Sequence, residues 1–385
     1  MEYMQFWKDR FQIPIYLGLD GRDSVVHRLP ITGPGVTPCT KMLFTEEIIE
    51  NAFKHVCKKR LKYSHNNDIW DLRLNWNKEK QELYEQLNNA TYKFEPVRKI
   101  TTESETLEIW SSRDAIVLKA LEIILGERFR PEISATCCHI KGNGGLKKAV
   151  RSVNNNINDF KYVMKTDVKK YYASIDYEVL LEIIGRYVTE TQLLRPLYQY
   201  LKRIEYTDGY YREVEKGICR GCPISPLLGA LYLKELDETM ERFDVFYIRY
   251  MDDWVIMAKN RWMLRRVVKR VNGILSGLKL KKADDKTFIG KIERGFDFLG
   301  YHFSLDGLSL AEKTVHNFVE RLSLRCYASG QKRGSNCGYK EIGLDNISRY
   351  VYSSVSDYIR RWLSWVNGGL KGIRVNIFLG TAAFT

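Results

Sequence analysis

Apolar residues along this chain change their period several times, and each change marks an element. In "TEEIIENAFKHVCKKRLKY" they recur three and four positions apart, which predicts an amphipathic helix, and "NKEKQELYEQLNNA" predicts a second. "TYKFEPVRKI" and "TLEIWSS" alternate as strands do, before "SRDAIVLKALEIILGERF" returns to helical spacing. "KYVMKTDV" reads as a short apolar strand ending in a charge, and "DYEVLLEIIGRYV" as a helix. "YREVEKGICRGC" leads from a strand into a glycine-rich loop, and "SPLLGALYLKELDETMERF" predicts one long helix with Ser225 as N-cap and Pro226 at its first position. β-formers on both sides of "MDD" in "YIRYMDDWVIMAK" predict a hairpin whose turn holds the acids, since aspartate tolerates a left-handed backbone. A helix in "RWMLRRVVKRVNGILSGL" and a strand pair around "RGFDFLGYHFS" follow, and from about Asp306 the chain is basic and mostly helical, most clearly in "SRYVYSSVSDYIRRWLSWV". The loop "LPITGPGVTPCT", Leu29 to Thr40, separates off the N-terminal segment. A helix-rich start, a mixed middle with antiparallel hairpins and a helical end predict an α+β protein with a sheet-based catalytic lobe. At 385 residues, two or three lobes are expected.

Charge adds a partner to this picture. Lys+Arg number 61 against 47 Asp+Glu, a formal balance of +14, which favours a polyanion because each neutralised phosphate releases condensed counterions. The 24 tyrosines add faces on which bases can stack. No run of apolar residues is long enough to span a bilayer, and the first residues lack a signal-peptide core, so the expectation is a cytoplasmic protein away from membranes. Of the eight cysteines, only Cys219 and Cys222 form a CxxC, and no second pair completes a zinc knuckle.

The chemistry-bearing feature is a set of carboxylates. Asp252 and Asp253 fall at the expected hairpin tip, whereas Asp284 and Asp285 lie in a lysine-rich loop and read as solvated. Asp167 ends a strand and could reach the same tip. Three converging aspartates repel unless cations neutralise them, and oxygen-only ligation selects hard divalent ions that can serve phosphoryl transfer in pairs. The spacing by itself leaves a bland alternative open: Asp252 caps the turn, Asp253 is solvated, and Asp167 begins a helix.

Five stretches in one order then point to a family. "YMDD" (Tyr250 to Asp253) resembles the signature of reverse transcriptases, and "TDVKKYYASID" (Thr166 to Asp176) resembles their first palm motif. "GICRGCPISPLLGALYL" is similar to the second palm motif of group II intron-like enzymes, "LKLKKADDKTFIG" to the next, and "FDFLGYHF" to the primer-grip strand pair. The resemblance implies a right-hand polymerase fold. Its N-terminal extension would span 1–91, mostly helical after about 44, with fingers over 92–160, an antiparallel-sheet palm over 161–305 that holds part of the fingers between its motifs, and a helical thumb over 306–385. It implies two Mg²⁺ ions, with Mn²⁺ as a substitute, on Asp167, Asp252 and the Val168 carbonyl, supported by Asp253. Tyr172 falls where the family places the aromatic gate that excludes a ribose 2′-OH.

Other positions carry weaker implications from the same resemblance. Arg98, Lys99 and Arg113 are candidates for gripping the dNTP triphosphate, with Arg220 and Gly221 of the second motif beside the nucleotide. Lys286 would stand near the leaving pyrophosphate, or simply be solvated. Tyr250 and Met251 of the signature, and Gly300 and Tyr301 of the primer grip, would face nucleic acid. Lys147 and Lys148, in "KGNGGLKK", could approach phosphate, although turn chemistry explains that stretch equally. Arg360 and Arg361 would hold the RNA–DNA duplex from a thumb helix, or line a solvated one.

Departures narrow the subtype. Arg220 precedes Gly221 where group II intron enzymes carry Gln, and Ser225-Pro226 replaces the Ser-Gln of diversity-generating retroelements. "VNGG" from Val366 is a partial echo of the retron Val-Thr-Gly. What remains resembles stand-alone bacterial reverse transcriptases of antiphage defence, whose pattern is a structured partner non-coding RNA as template. Two rival readings stay open: an RNA-binding scaffold that keeps the palm for shape, and an untemplated or protein-primed DNA polymerase. The segment before Thr45 is expected either to touch partner RNA or to pack on the fingers.

Overall fold

The computed structural model describes residues 42–101, 106–331, 344–368 and 370; the Leu29–Thr40 loop, most of the segment before Thr45, and Gly369 of "VNGG" lie outside them. The described elements begin with helices α1 (Glu46–Lys59), α2 (Asp68–Leu74) and α3 (Trp76–Asn88), strands β1 (Val97–Thr101) and β2 (Thr106–Ile109), and helix α4 (Ser112–Phe129). Helix α5 (Gly145–Asn156), strand β3 (Tyr162–Asp167), the short α6 (Tyr171–Ser174), α7 (Tyr177–Gly185) and α8 (Thr191–Leu201) follow. Then come β4 (Ile204–Thr207), β5 (Tyr210–Glu213), α9 (Ser225–Tyr232), α10 (Lys234–Glu241), β6 (Phe246–Tyr250), β7 (Asp253–Ala258) and α11 (Arg261–Gly277). The last are β8 (Phe288–Lys291), β9 (Phe296–Phe298), β10 (Tyr301–Ser304), β11 (Gly307–Leu310), α12 (Glu312–Gln331) and α13 (Leu344–Asn367).

These elements divide into two compact units, one joining the chain up to Ile133 with Lys170–Tyr232, the other joining Ser134–Lys169 with the chain from Leu233 onward. Sequence-derived boundaries at 91, 160 and 305 follow the chain; this division follows packing.

In the first unit, the Thr45 hydroxyl caps α1 by accepting from the Ile48 N–H (3.3 Å), with Glu46 and Glu47 in the first turn and Lys58 and Lys59 in the last. Both charge biases complement the helix dipole. Its apolar stripe, Ile49, Ala52 and Val56, is buried, and the largely apolar α4 buries residues around its whole circumference. The sheet runs β2-β1-β4-β5, with β1 antiparallel to β2 and parallel to β4. Besides the four-residue α6, two helices here escape the periodicity reading. One is α2, started by the Asn67 side chain, and the other is α8, which carries Pro196 in its interior, a residue that argues against helix when read from sequence.

The single helix expected from Ser225 is two, α9 and α10, broken at Leu233 (φ −97°, ψ 12°). Seven of the eight residues of α9 are buried, whereas α10 buries only Leu236, Asp237, Thr239 and Met240. The break falls at the boundary between the units, so each half packs into its own core. Ser225 is not an N-cap: it begins α9 and spends its hydroxyl on the Cys219 carbonyl and the Tyr200 hydroxyl.

In the second unit, an antiparallel sheet of order β6-β7-β3-β8 and a three-stranded sheet β11-β10-β9 share one core, which includes Val163, Ile248, Val255, Met257, Phe298 and Phe303. α11 buries Leu264, Val267, Val271, Ile274 and Leu275, a stripe at helical spacing. α5 arises from the stretch read as a glycine turn; its preceding residues Gly142 and Gly144 and its own first residue Gly145 all have positive φ. In α12 and α13, Phe318 stacks on Trp362 at 3.9 Å between ring centroids.

Candidate active site

The second unit gathers the carboxylates through strand register. Asp167, the last residue of β3, lies opposite Asp253, the first of β7. Tyr250 pairs with Asp253 across the β6–β7 hairpin, which leaves Met251 and Asp252 as a two-residue turn. The left-handed residue of that turn is Met251, with φ 57°, and not an aspartate as the sequence suggested. Two bonds hold it there: the Arg249 Nη1 donates to the Met251 carbonyl (2.8 Å), and the Met251 N–H donates to His139 Nδ1 (3.0 Å). The His139 ring also meets Tyr250 edge-on at 6.0 Å. With the turn fixed through the backbone, the aspartate side chains are not consumed as caps.

Arg249 is a functional residue that sequence reasoning missed. It is fully buried in the middle of β6, and its guanidinium grips the equally buried Asp237 carboxylate of α10 through Nε (2.7 Å) and Nη2. The Tyr247 hydroxyl donates to the same carboxylate (2.6 Å). A charge in a strand of β-formers was the available signal, because a buried arginine must find an acid. His139, from a stretch without periodicity, gave none.

The electrostatics are those of crowded, shielded acids. Burial, and then the hydrogen bond and charge of Asp167, raise the Asp252 carboxyl well above its ordinary range. Burial pushes Asp253 up to about 6 against the opposing pull of Lys165, whose ammonium stands 3.5 Å from its Oδ1. Asp167 Oδ1 and Asp253 Oδ1 are shielded from solvent and accept no hydrogen bond. The Lys286 ammonium pairs with the other Asp167 oxygen. Among the described residues no three His, Cys, Asp or Glu side chains are already closed into a metal cage. Yet two shielded oxygens without hydrogen bonds, in an oxygen-only donor set, fit a hard divalent cation, with lysines now supplying the positive charge. Val168 forms a bridge with Lys282; the ladder bonds beside it use the Asp167 carbonyl and the Lys169 N–H, so the Val168 carbonyl stays outside the ladder.

Other predicted residues divide by environment. Gly300 (φ 84°) and Leu299 (φ 50°) form the tight turn between β9 and β10, and the Gly300 carbonyl accepts from the Ala311 N–H and the Thr314 hydroxyl. Tyr301 offers no surface to nucleic acid: it is fully buried, stacked on Trp365, with its hydroxyl donating to the Val366 carbonyl (3.0 Å). Lys147 is drawn into the same cluster, its ammonium over the Tyr301 and Trp365 rings at 4.9 and 4.7 Å and bonded to the Tyr301 hydroxyl and the Trp365 carbonyl. Burial there lowers it to about 8. Lys148 reaches the Ala135 carbonyl at 3.4 Å. On α13, Arg360 pairs with Asp357 (3.3 Å) and Arg361 donates to the Asp357 carbonyl, both on the exposed face.

In the first unit, Lys99 is committed to Glu205 (2.8 Å), and Arg113 to Glu79 (2.8 Å) and Glu82 (3.5 Å), while Arg98 on the same sheet is exposed with no ion pair among the described residues. Arg220 and Gly221 (φ 84°) are exposed on a loop pinned beneath them, where the Gly217 carbonyl accepts from Tyr177 and Arg203. Tyr172 follows Tyr171, whose hydroxyl donates to the Gly229 carbonyl (2.5 Å). A Cβ on Gly229 would lie 3.1 Å from the Tyr172 ring and 3.2 Å from that of Tyr171, so this glycine makes room for both rings. Cys219 and Cys222 are buried free thiols, and burial raises both pKa values.

The family description "Reverse transcriptase (RNA-dependent DNA polymerase)" matches residues 111–303, half of the chain, and the chain belongs to that family. Its class is therefore α+β with the right-hand polymerase fold. Among curated relatives, Protein YkfC of Escherichia coli K12 is 22% identical over 65% of this chain and 78% of its own length. The group II intron-encoded protein LtrA of Lactococcus lactis subsp. cremoris is 22% identical over 41% of this chain, and a putative COX1/OXI3 intron 1 protein of Saccharomyces cerevisiae is 24% identical over 43%. The chain spans 27% and 20% of the lengths of those two intron proteins. A chain in a solved structure described as "Partial Cas6-RT-Cas1--Cas2 complex" aligns over 66% of this chain and 46% of its own, at 17% identity and a TM-score of 0.37. No helix among the described residues is long and apolar enough to cross a membrane.

Proposed function

We propose that this chain makes complementary DNA on an RNA template by two-metal-ion nucleotidyl transfer at Asp167, Asp252 and Asp253. The observation that carries the reading is the trio of crowded, mutually repelling carboxylates at the β3 end and the β6–β7 turn, two of them with an oxygen shielded from solvent. A scaffold gains nothing from the electrostatic cost of that arrangement. Mg²⁺, or Mn²⁺ in its place, would be held by Asp167, Asp252 and the Val168 carbonyl, with Asp253 beside them, and would supply charge stabilisation for the attacking and leaving oxygens.

The protein's own groups do the rest. The Arg249–Asp237 pair and His139 orient the turn. Tyr172 excludes ribonucleotides, and Arg98, Arg220 and Gly221 meet the incoming dNTP. Lys99 and Arg113 join them only by leaving their present carboxylates. Lys286 leaves Asp167 as cation and triphosphate enter, and turns to the pyrophosphate. Residues 92–160 serve as fingers, 161–305 as palm and 306–385 as thumb, the last holding the RNA–DNA duplex through Arg360 and Arg361. The template is a structured partner non-coding RNA and the biological role antiphage defence in the cytoplasm, a reading supported by the departures of Arg220 and Ser225-Pro226 from other bacterial classes.

The test is sequencing of nucleic acid copurifying from the native host with wild type and with an Asp252→Ala, Asp253→Ala variant, alongside primer extension with dNTPs and Mg²⁺. One structured RNA on both proteins, with its complementary DNA on wild type only, is the expected result. RNA on both with DNA on neither, in cells or in vitro, replaces the proposal with the scaffold; DNA unrelated to any bound RNA replaces it with untemplated synthesis.

A further inference from the structure

At the opposite end of β3 from Asp167 lies a second cationic feature, which the carboxylate chemistry does not use. A groove of about 620 Å³ runs between α11 and the edge strand β8. Arg261, Arg265 and Lys269 form its helix wall, and Lys291 and Arg294 line the other side. Tyr162, which also lines it, is in register with Lys291, five residues before Asp167 along β3. At the rise of an extended strand, that is ~17 Å from the carboxylates.

Three features make this groove a site. Its helix-wall cations repeat at every fourth residue, and so follow one another at about 6 Å along one helix face, a spacing suited to successive phosphates. They are also uncompensated: among the described residues Arg261, Arg265, Lys269 and Arg294 pair with no carboxylate, and only Lys291 has one, Glu293 at 3.5 Å. Beside Arg265 stands Trp262, 76% exposed on a helix whose apolar stripe is otherwise largely buried, with the Arg265 guanidinium 5.4 Å from its ring centroid. An aromatic face beside a phosphate-tracking cationic channel is the arrangement that binds single-stranded nucleic acid. Asn272 also lines the groove, and its carboxamide can both donate to and accept from a ribose 2′-OH.

We infer that this groove holds an unpaired segment of RNA, its phosphates on Arg261, Arg265, Lys269 and Arg294 and one base on Trp262, away from the site of synthesis. The inference rests on the reading of the chain as a polymerase with an RNA template: a strand anchored here keeps the template RNA on the protein while its copied part moves through the active site. The charge of the groove suits phosphodiesters.

The test uses the full chain and a labelled 12-nucleotide oligo(U), with anisotropy followed across a salt series. In Arg265→Gln/Lys269→Gln/Arg294→Gln, three phosphate contacts are lost, and the slope of log K against log salt becomes shallower by about 2. Trp262→Ala weakens binding at least about fivefold at fixed salt. Arg265→Lys/Arg294→Lys restores the wild-type slope, which separates charge from misfolding. Extension of a short preformed primer–template hairpin stays at the wild-type rate in every variant. Unchanged slope and affinity in the Gln and Ala variants overturn the inference, and so does a slope that the Lys variant fails to restore. Equal losses on the matching DNA oligonucleotide overturn the assignment to RNA, and a groove that instead captures an acidic peptide in competition with oligo(U) overturns the assignment to nucleic acid. If wild type extends no primer while the binding losses appear as stated, the polymerase reading fails and the groove stands.

Discussion

A single buried arginine holds the turn on which Asp252 stands. Arg249→Met leaves the Asp237 carboxylate and the Tyr247 hydroxyl in a core with no cation, which costs about 3–5 kcal/mol. Urea unfolding should register that loss, and Arg249→Met combined with Asp237→Leu should recover most of it, because no orphaned charge then remains. Primer extension should stay depressed in the double variant, since the bond to the Met251 carbonyl is still missing. Tyr172 is tested in the same spirit. Tyr172→Ala should raise ribonucleotide incorporation relative to deoxynucleotide by about tenfold or more, measured by single-nucleotide extension. Gly229→Ala should displace the same ring, whose edge would then lie 3.1 Å from the new methyl group, and change the same ratio without touching a carboxylate.

Among the elements, the start of α8 depends on a two-pronged ion pair: Nη1 and Nη2 of Arg128 each donate to one oxygen of the Glu190 carboxylate at 2.6 Å. The hydrogen bonds from Arg128 hold Glu190 down to about 2 from an ordinary 4.5. A depressed carboxylate adds stability that is fully present above its unfolded pKa and is lost as pH falls through the folded one. Glu190→Gln should therefore destabilise the protein at pH 6 and make little difference near pH 2, by urea titration at the two values. The side chains remain 29% and 22% exposed, so the effect should be about 1 kcal/mol.

For the molecule as a whole, the carboxylate trio links cation, proton and stability. Asp252 and Asp253 are both raised in the folded protein, so without divalent cation the fold loses stability as pH climbs from the ordinary carboxylate value of 3.8 through about 6 and above. A cation that binds the ionised acids opposes that loss. Thermal melts should show a larger Mg²⁺-dependent rise in Tm at pH 8 than at pH 5, and Asp252→Asn/Asp253→Asn should abolish the difference.

Local pattern was enough to reveal the long helices α1, α4 and α11, the β6–β7 hairpin, the Leu299–Gly300 strand pair and the candidate carboxylates, because period, turn residues and motif order are properties of neighbours along the chain. The left-handed Met251, the break at Leu233 and the burial of Tyr301 under Trp365 were not legible that way. Each depends on a partner far off in sequence: His139 for the turn, two separate cores for the broken helix, and α13 for the tyrosine. The same holds for Lys147 and Lys148, alike as neighbours in a basic stretch, of which packing drew one against two aromatic rings. Residue type and spacing determined what chemistry this chain could attempt. Tertiary structure decided which charges are shielded, paired or left facing water, since burial and desolvation exist only once distant segments meet.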